Sequence, residues 1–346
     1  MNICFIMYPW DRVTAATDTT LTLIHEAFSR AHTVGVMVPS NLTIRDNEVF
    51  GFVKMIKSME KIPSDMVRFH SKVEFKEELL PISGFDVIFL RANPPVDTTM
   101  LNFLDSVKDD VFIINDVEGI RKANNKLYTA AMFAGGTNII PETHVSKNKE
   151  YLQKVIKESK KDKMILKPLD GFGGSGVIVM EKKAAMSTNS LLDFYINGQS
   201  QQKYVILQEY IEGADQGDVR ILMLNGKPIG AMKRVPAEGE NRSNVHAGGT
   251  AVKHVMTKEE KNICDLVGPK LVADGLYFVG LDVINGKLIE VNVLSPGGIS
   301  RINKLNRVRL QENVLDFVEE VVAIKENALS RKLAHRLTVQ NAKSKY

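Results

Sequence analysis

Three oxygen-bearing side chains lie close together in the last quarter of the sequence. Glu290 and Asn292 are two residues apart in a strand-like run, so they share one face of a strand. Asp282 precedes them across an Asn-Gly turn and joins that face only if the connection has an odd number of loop residues, because a two-residue turn would point it away. Carboxylate and amide oxygens, without His or Cys nearby, suit Mg²⁺ better than Zn²⁺. The pattern favours a magnesium site over the alternative, a solvated polar sheet face.

Arginines upstream complement this acidic set. Asp218 and Arg220 alternate along one predicted strand, and Arg234 ends the partner strand. Arg242 and Asn244 follow in a long polar loop. Arginines beside a metal suit phosphoryl transfer, because guanidinium groups bind bidentately to the several oxygens that share the charge. The alternative is a set of surface salt bridges.

A glycine-rich segment forms the pattern G-x-G-x-x-G at Gly171, Gly173 and Gly176, directly after an apolar run. In a dinucleotide-binding fold such glycines open a helix. Here a β-branched run follows, which predicts the tip of a hairpin. Backbone N–H groups of such a tip can cover phosphates, and Lys167 just before it supplies a positive charge. The pattern favours a nucleotide lid, and an ordinary glycine-rich loop is the alternative.

An apolar strand lies between the glycines and the arginines and ends near Gln208. Backbone groups at this end could bind an adenine edge while Ile211 packs on the ring. A plain buried strand would have the same sequence, so the two interpretations stay open here.

The elements that must position these residues change character along the chain. The first residues predict a βαβ opening, which consists of a strand at Ile3–Met7, a helix capped by Asp18 and a second strand. Two further apolar runs, 86–91 and 111–115, predict a small parallel α/β domain up to about residue 123. Arg91 ends one of these strands, at the sheet edge where ligands bind, although a solvated loop arginine is nearly as plausible.

The second half is predicted to be an antiparallel α+β region. Two Asn-Gly pairs, at 225–226 and 285–286, predict tight hairpins between strand-like runs. The last residues, 323–346, are basic and predict a solvated helical tail.

The composition excludes several classes of protein. The 45 basic and 41 acidic residues give a net charge of only +4, which does not indicate a nucleic acid partner. No apolar run approaches the length of a membrane span, so no membrane partner is predicted either. The two cysteines, Cys4 and Cys264, exclude a disulfide framework and fit a cytoplasmic location.

Taken in order, these residues resemble the ATP-grasp superfamily and, within it, the bacterial-type glutathione synthetases. The resemblance covers most of the chain to about residue 320, and the joint order of its motifs makes it highly specific. The motifs are Asp86–Arg91 with Pro94-Pro95, Asn125-Lys126-Leu127, Leu166–Gly171 with Gly173-Gly174, Arg242-Ser243-Asn244 with Ala247–Gly249, and Gly280–Asp282 through Glu290–Asn292 to Ser295-Pro296.

The resemblance implies an architecture and a reaction. A parallel α/β substrate-binding domain (1–123) precedes an ATP-grasp domain (124–322), which divides near residue 205 into a lid hairpin subdomain and an antiparallel catalytic subdomain. The implied enzyme is a cytoplasmic homo-oligomer, a dimer or tetramer. It joins γ-glutamylcysteine and glycine with ATP, forming ADP and passing through an acyl phosphate.

The resemblance also implies a role for each site residue. The nucleotide would be bound by Lys126, Lys167, Gly171, Gly173, Gly174, Ser175, Gln208, Glu209, Tyr210, Ile211 and Asp218. Mg²⁺, or Mn²⁺ in its place, would be bound by Asp282, Glu290 and Asn292. Arg220, Arg234 and Arg242 would stabilise developing charge, while Asn244, Arg91, Ser295, Pro296 and Gly297 would contact the acid and amine substrates.

Two departures from the family pattern concern the substrate end of the site. Gly297-Gly298 follow Ser295-Pro296, where the family often has Thr, and His246 replaces a small residue. A ligase for another acid and amine is therefore one alternative. A non-catalytic ATP-binding regulator is another, although pure binding does not require the full phosphoryl-transfer set.

Overall fold

The computed structural model describes residues 1–132, 136–171, 175–182, 185–197, 201–237 and 249–342. The chain divides into two compact units. The first contains residues 1–92, 99–114 and those from 309 onward, and the second contains residues 93–98 and 115–308.

The first unit is built on a sheet with the strand order β3-β4-β2-β1-β6-β7, and β5 pairs with β4. β1 pairs in parallel with β2 and β6, and β6 with β7, which confirms the predicted parallel α/β start. The Asp18 side chain accepts a hydrogen bond from the Leu21 amide at 2.8 Å and caps α1 as predicted. The elements are β1 (Asn2–Met7), α1 (Thr19–Ser29), β2 (Thr33–Met37), β3 (Leu42–Arg45), β4 (Glu48–Ile56), α2 (Met66–Lys72), β5 (Phe75–Pro81), β6 (Val87–Arg91), α3 (Thr98–Asp105), β7 (Phe112–Ile114) and α10 (Leu310–Ala342).

Strands β3, β4 and β5 extend this sheet through antiparallel pairing of β4 with β2, β3 and β5, and they have no counterpart among the predicted elements. In β4, Val49 and Val53 are buried while Phe52 between them is exposed. The two faces of this strand therefore differ in burial but both carry apolar side chains, so hydrophobic alternation does not reveal the strand in the sequence.

Helix α10 packs on the first unit along its first half and is exposed beyond Val322. The basic tail expected from residue 323 is therefore the exposed second half of one continuous helix. None of the described helices is long and apolar enough to cross a membrane.

The second unit contains two antiparallel sheets, in the orders β10-β9-β11-β8 and β14-β13-β12-β15-β16. The turns at 225–226 and 285–286 have positive φ at both residues, as the Asn-Gly pairs predict. The elements are α4 (Val117–Ala123), α5 (Leu127–Ala130), β8 (Thr143–Ser146), α6 (Lys149–Glu158), β9 (Lys163–Pro168), β10 (Ile178–Glu181), α7 (Ala185–Ile196), β11 (Val205–Glu209), β12 (Asp218–Leu224), β13 (Lys227–Val235), β14 (Thr250–Lys253), α8 (Lys258–Ala273), β15 (Phe278–Ile284), β16 (Lys287–Asn292) and α9 (Ile299–Asn306).

The boundary between these two sheets lies after Glu209 rather than near residue 205. β11 pairs with both β9 and β8, so it belongs to the sheet that carries the glycine hairpin. The backbone hydrogen bonds of β11 to β8 and β9 decide to which sheet β11 belongs, and the sequence does not reveal these bonds.

Candidate active site

A register shift brings Asp282 onto the same face as Glu290. The tight turn pairs Ile284 with Lys287, and a bulge between Asp282 and Val283 then moves the register by one residue. Asp282 consequently lies opposite Glu290, and residues directly opposite in an antiparallel pair point to the same face. The expectation that a two-residue turn would point Asp282 away is therefore wrong for this hairpin.

Asn292 completes the predicted oxygen set. Its Nδ2 donates to Asp282 Oδ2 at 3.1 Å, and the side-chain Oδ1 remains as an acceptor for a cation. Within the described residues no group of three His, Cys, Asp or Glu side chains could hold a metal. A metal here would therefore use the Asn292 amide together with the two carboxylates and oxygens from a bound phosphate, which is a common arrangement for Mg²⁺.

Asp282 is also the centre of a buried ion-pair network. Arg220, opposite Asp282 on β12, donates through Nε to Oδ1 at 2.5 Å and through Nη2 to Oδ2 at 3.0 Å. Arg234 Nη2 lies 3.0 Å from Asp282 Oδ2, and its Nε donates to Asp218 Oδ1 at 2.8 Å. Three residues that the sequence grouped as a possible phosphoryl-transfer set, Asp218, Arg220 and Arg234, are thus brought together on one sheet face with Asp282 of the predicted metal site.

The network shifts the pKa values of its members. Burial alone would raise the pKa of Asp282, but Arg220 and Arg234 outweigh it and lower that pKa to about 2. Burial alone would lower the pKa of Arg234, but Asp282 and Asp218 reverse this and raise it. Both groups therefore stay charged at neutral pH, with their side chains fixed by bidentate pairing.

The two predicted phosphate-binding lysines lie beside this face. Lys126 Nζ is 3.3 Å from Glu290 Oε1. Lys167 is buried and donates to Gln208 Oε1 at 2.9 Å, while Gln208 Nε2 donates to Thr143 Oγ1 at 2.8 Å. Both lysines and Gln208 line one small recess that is partly open to solvent.

Lys167 has an unusual protonation equilibrium. Burial lowers its pKa, Glu290 raises it and Lys126 lowers it again, with a net value of about 8. Removing this cation from water is costly, and an anionic ligand in the recess would restore its charged form. Among the described residues Lys167 forms no ion pair with a carboxylate, which is the feature expected of a buried phosphate-binding lysine.

Several side chains at the end of β11, where an adenine site is expected, have partners within the protein. The Gln208 side chain is held between Lys167 and Thr143, and Glu209 forms an ion pair with Lys161 at 2.9 Å. Lys163 lies over the Tyr210 ring, 5.7 Å from its centroid. These side chains are thus engaged in the protein. The expected contacts of backbone groups with an adenine edge, and of Ile211 with its ring, stay a prediction.

The glycine segment joins two antiparallel strands, which excludes a dinucleotide-binding turn. β9 and β10 pair with Leu166 opposite Ile178, so the glycines form the connection of a hairpin as predicted. At Gly171 an added Cβ would come within 2.8 Å of the Ser175 carbonyl oxygen, and Gly176 has a φ of +71°. Gly173 and Gly174 lie outside the described residues.

The predicted substrate segment contacts the arginine network. The Gly297 carbonyl oxygen accepts from Arg220 Nη1 at 3.3 Å, and Ser295 Oγ donates to Asn93 Oδ1 at 3.4 Å. A Cβ added at Gly297 would meet no described residue within 4 Å, so the described part of the chain leaves space beside this residue.

Arg91 belongs to the first unit. It is 3% exposed, which excludes the solvated-loop interpretation, and its Nε donates to Thr20 Oγ1 at 3.1 Å. Tyr8 donates a short hydrogen bond to Asp18 at the same carboxyl edge of the parallel sheet. Arg242 and Asn244 lie outside the described residues.

Sequence reasoning did not identify Thr129 and Thr143 as parts of the site. Both line the recess, and Thr129 Oγ1 accepts from the Val291 amide at 3.1 Å. Asn115 is a buried positioning residue that was also missed: it donates to the Phe278 and Val293 carbonyls and accepts from the Phe278 amide. No local sequence pattern distinguishes these residues, because their partners are far away in the chain.

Two family models match the chain along most of its length. Residues 1–121 match the N-terminal domain of prokaryotic glutathione synthetase, and residues 125–307 match its ATP-grasp domain. The chain is 35% identical over 330 residues to a glutathione synthetase of Thermosynechococcus vestitus, covering 92% of this chain and 99% of that protein. It is 33% identical over 329 residues to one of Gloeobacter violaceus, covering 92% and 97%.

Solved structures of low sequence identity share the fold. D-cycloserine synthetase DcsG superposes with a TM-score of 0.63 at 14% identity, covering 92% of this chain and 100% of that one. The ATP-grasp ligase PsnB, complexed with minimal precursor, Mg and ADP, superposes with a TM-score of 0.60 at 13% identity, covering 93% and 98%. These similarities concern the fold alone.

Proposed function

Because the chain belongs to the prokaryotic glutathione synthetase family and is an ATP-dependent peptide ligase, we propose that it joins γ-glutamylcysteine to glycine at the face formed by Asp282, Glu290 and Arg220. The observation that carries this assignment is the convergence of paired acids and arginines beside two lysines on one sheet face. Transfer of a phosphoryl group requires this combination, since cations must neutralise oxygens on both sides of the breaking bond.

We assign Mg²⁺ to Asp282, Glu290 and Asn292, with Mn²⁺ as the alternative ion. Their oxygens are hard ligands, and the Asn292–Asp282 hydrogen bond orients the amide. When bound by these residues, the ion would supply positive charge that offsets the negative charge of the phosphates. PsnB, a ligase of this fold, has been solved in a complex with minimal precursor, Mg and ADP.

Lys126 and Lys167 would bind the ATP phosphates, with Gly171, Gly173, Gly174 and Ser175 covering them through backbone groups. The backbone from Gln208 to Ile211 would bind adenine, and Asp218 would lie near the nucleotide. Lys167 is suited to its role because its buried ammonium has a hydrogen-bond acceptor in Gln208 but needs an anion to compensate its charge.

The reaction needs no side-chain nucleophile. The carboxylate of γ-glutamylcysteine attacks the γ-phosphorus and displaces ADP, giving an acyl phosphate. The amine of glycine then attacks the acyl carbon, phosphate leaves, and the amine loses a proton. Arg220 and Arg234, fixed by their acidic partners, would stabilise the developing negative charge, and Arg242 would join them from outside the described residues.

The substrate contacts rest on a smaller set of observations. Gly297 is bonded to Arg220 through its carbonyl, which places Ser295, Pro296 and Gly297 next to the arginine network. Arg91 is a buried cation at the carboxyl edge of the first unit's sheet and would bind a substrate carboxylate. Asn244 would position the dipeptide, as the family resemblance implies.

A second acid and amine pair is a specific alternative because of the free space beside Gly297. A panel of acids and amines with ATP, scored by phosphate release and by product mass, distinguishes the two. Release only with γ-glutamylcysteine plus glycine supports the proposal, whereas release only with another pair replaces it. ATP binding without release for any pair would instead indicate a nucleotide-binding regulator.

A further inference from the structure

Two threonines line the recess that contains Lys126 and Lys167, and their hydroxyl groups differ in hydrogen bonding. Thr143 Oγ1 accepts from Gln208 Nε2 at 2.8 Å and donates to the Pro141 carbonyl oxygen at 2.8 Å. The Thr143 hydroxyl therefore uses both its lone pair and its proton within the chain, and it orients the Gln208 amide.

The second threonine, Thr129, is buried, and its hydroxyl has a partner in one direction only. Its Oγ1 accepts from the Val291 amide at 3.1 Å, and an amide N–H can only donate. In the part of the chain that the structure describes, the Thr129 hydroxyl donates no hydrogen bond. Buried hydroxyl groups normally use their proton as well, so this donor is available to a ligand in the recess.

Thr129 also connects the segment of a proposed phosphate-binding lysine to the strand of the proposed metal ligands. Lys126 precedes Thr129 by three residues, which is about one helical turn. Val291 lies in β16 between Glu290 and Asn292, and β16 is the edge strand of its sheet. The Thr129–Val291 hydrogen bond therefore fixes this hydroxyl where the phosphates and the metal ion of the proposed function would meet.

We propose that the Thr129 hydroxyl is a further ligand of the ATP phosphates, accepting from the Val291 amide and donating to a phosphate oxygen. This inference rests on the proposed function, in which Lys126 and Lys167 bind those phosphates. A phosphate oxygen suits the position better than an acceptor atom of adenine, because both lysines line the same recess and attract negative charge. Hydrogen bonds to charged acceptors are stronger than those to neutral ones, so the loss of this one contact is measurable.

Competition against a fluorescent ADP analogue measures the contact with three probes: ATP, inorganic tripolyphosphate and adenosine. Thr129→Val, which keeps the shape but not the hydroxyl, should lower the affinity for ATP and tripolyphosphate by about tenfold or more and leave that for adenosine unchanged. Thr129→Ser keeps the hydroxyl and should recover most of the loss. Thr338→Val is the matched control, because Thr338 is exposed in α10 and donates only to the Ala334 carbonyl oxygen of its own helix.

A double-mutant cycle separates a direct contact from a displaced lysine, because valine also leaves the buried Val291 amide without its acceptor. A direct contact should still lower tripolyphosphate affinity about tenfold when Thr129→Val is added to Lys126→Met, whereas an effect through Lys126 disappears there. Thermal melting by circular dichroism verifies that each variant is folded. Thr129→Ala, which leaves room for a water at the Val291 amide, replaces the valine variant if that one does not fold.

The possible outcomes distinguish this inference from the proposed function. Unchanged tripolyphosphate affinity in Thr129→Val, a loss confined to adenosine, or a loss that disappears in the Lys126→Met chain would each overturn the proposal alone. Unchanged tripolyphosphate affinity in both Lys126→Met and Lys167→Met would instead contradict the phosphate site of the proposed function, and the role of Thr129 would be refuted with it.

Discussion

Asp282 and Glu290 lie opposite each other in the β15–β16 ladder although a turn of only two residues joins their strands. A β-bulge next to Asp282 shifts the register and reverses the face to which this side chain points. The consequence is chemical: Asp282 pairs with Arg220 and contacts Asn292, while Glu290 contacts Lys126. One inserted residue thus joins a candidate metal site to the arginines that would act with it.

Replacing a proposed metal ligand should remove activity without unfolding the chain. We expect Glu290→Gln or Asn292→Ala to lower ligase turnover at limiting Mg²⁺ by roughly 100-fold, because each loses an oxygen ligand or its charge. A titration of Mg²⁺ against phosphate release measures this, and partial recovery at high Mg²⁺ is expected. Asp265→Asn, an exposed acid of α8, is the control and should behave like the native chain. Unchanged Mg²⁺ dependence in Glu290→Gln would remove Glu290 from the site.

The pH dependence of ATP use should reflect Lys167. Its ammonium is charged below its pKa of about 8 and neutral above it, so kcat/KM for ATP should fall as the pH rises past about 8. In the unfolded chain this lysine keeps its proton up to about pH 10.5, so the contribution of Lys167 to the free energy of unfolding rises over the same window. The loss of kcat/KM is therefore not a loss of fold.

Lys167→Arg provides the comparison, because arginine stays charged throughout this range. The variant should have a lower kcat/KM for ATP at neutral pH, since the planar guanidinium group does not fit the Gln208 acceptor. Its kcat/KM should not change between pH 7.5 and about 9.5. An unchanged alkaline decline in Lys167→Arg would show that another group titrates.

The buried ion pairs should matter for stability as well as chemistry. Arg234→Met leaves Asp218 without its partner and Asp282 with one arginine, so we expect a loss of about 3–5 kcal/mol in the free energy of unfolding. Lys227→Met on the same strand breaks only an exposed pair with Asp265 at 3.9 Å and should cost less than about 1 kcal/mol. Urea denaturation measures both, and equal losses would contradict the assignment.

Acid should weaken the same network. The pKa of Asp282 is lowered from 3.8 to about 2, so its stabilising contribution is complete above pH 3.8 and is lost as the pH falls towards 2. Asp282→Asn should remove this part of the acid dependence, which urea titrations between pH 5 and about 2.5 would detect.

Two glycines that flank one short turn should differ in their tolerance of alanine. Gly213 and Gly217 both have positive φ. A Cβ at Gly217 would lie 1.9 Å from the Arg234 carbonyl oxygen, whereas a Cβ at Gly213 would meet no described residue within 4 Å. Gly213→Ala should cost about 1–2 kcal/mol for the backbone conformation alone. Gly217→Ala should cost more and should also lower activity, because Asp218 and Arg234 must move apart. Similar melting temperatures for the two variants would refute this explanation.

The sequence determined many of the elements, and it grouped candidate site residues that are neighbours on one strand. The apolar runs of the first unit form parallel strands, Asp18 caps α1, and both Asn-Gly pairs form tight turns, because these features depend on neighbours in the chain. Alternation along β12 and β16 likewise grouped Asp218 with Arg220 and Glu290 with Asn292, since a strand's period fixes its faces.

The tertiary structure decided the relationships that depend on distant partners. The bulge beside Asp282 arises only when β15 and β16 pair. A prediction from the two-residue turn alone therefore placed the Asp282 side chain on the wrong face of the sheet. The hydrogen-bond chain from Lys167 through Gln208 to Thr143 crosses three strands that are far apart in the sequence, so neither the depressed lysine pKa nor the role of Thr143 could be predicted. The sequence also did not predict that Phe52 is exposed while the adjacent Val53 is buried. Hydrophobic side chains occupy both faces of β4, and only folding determines which face is covered.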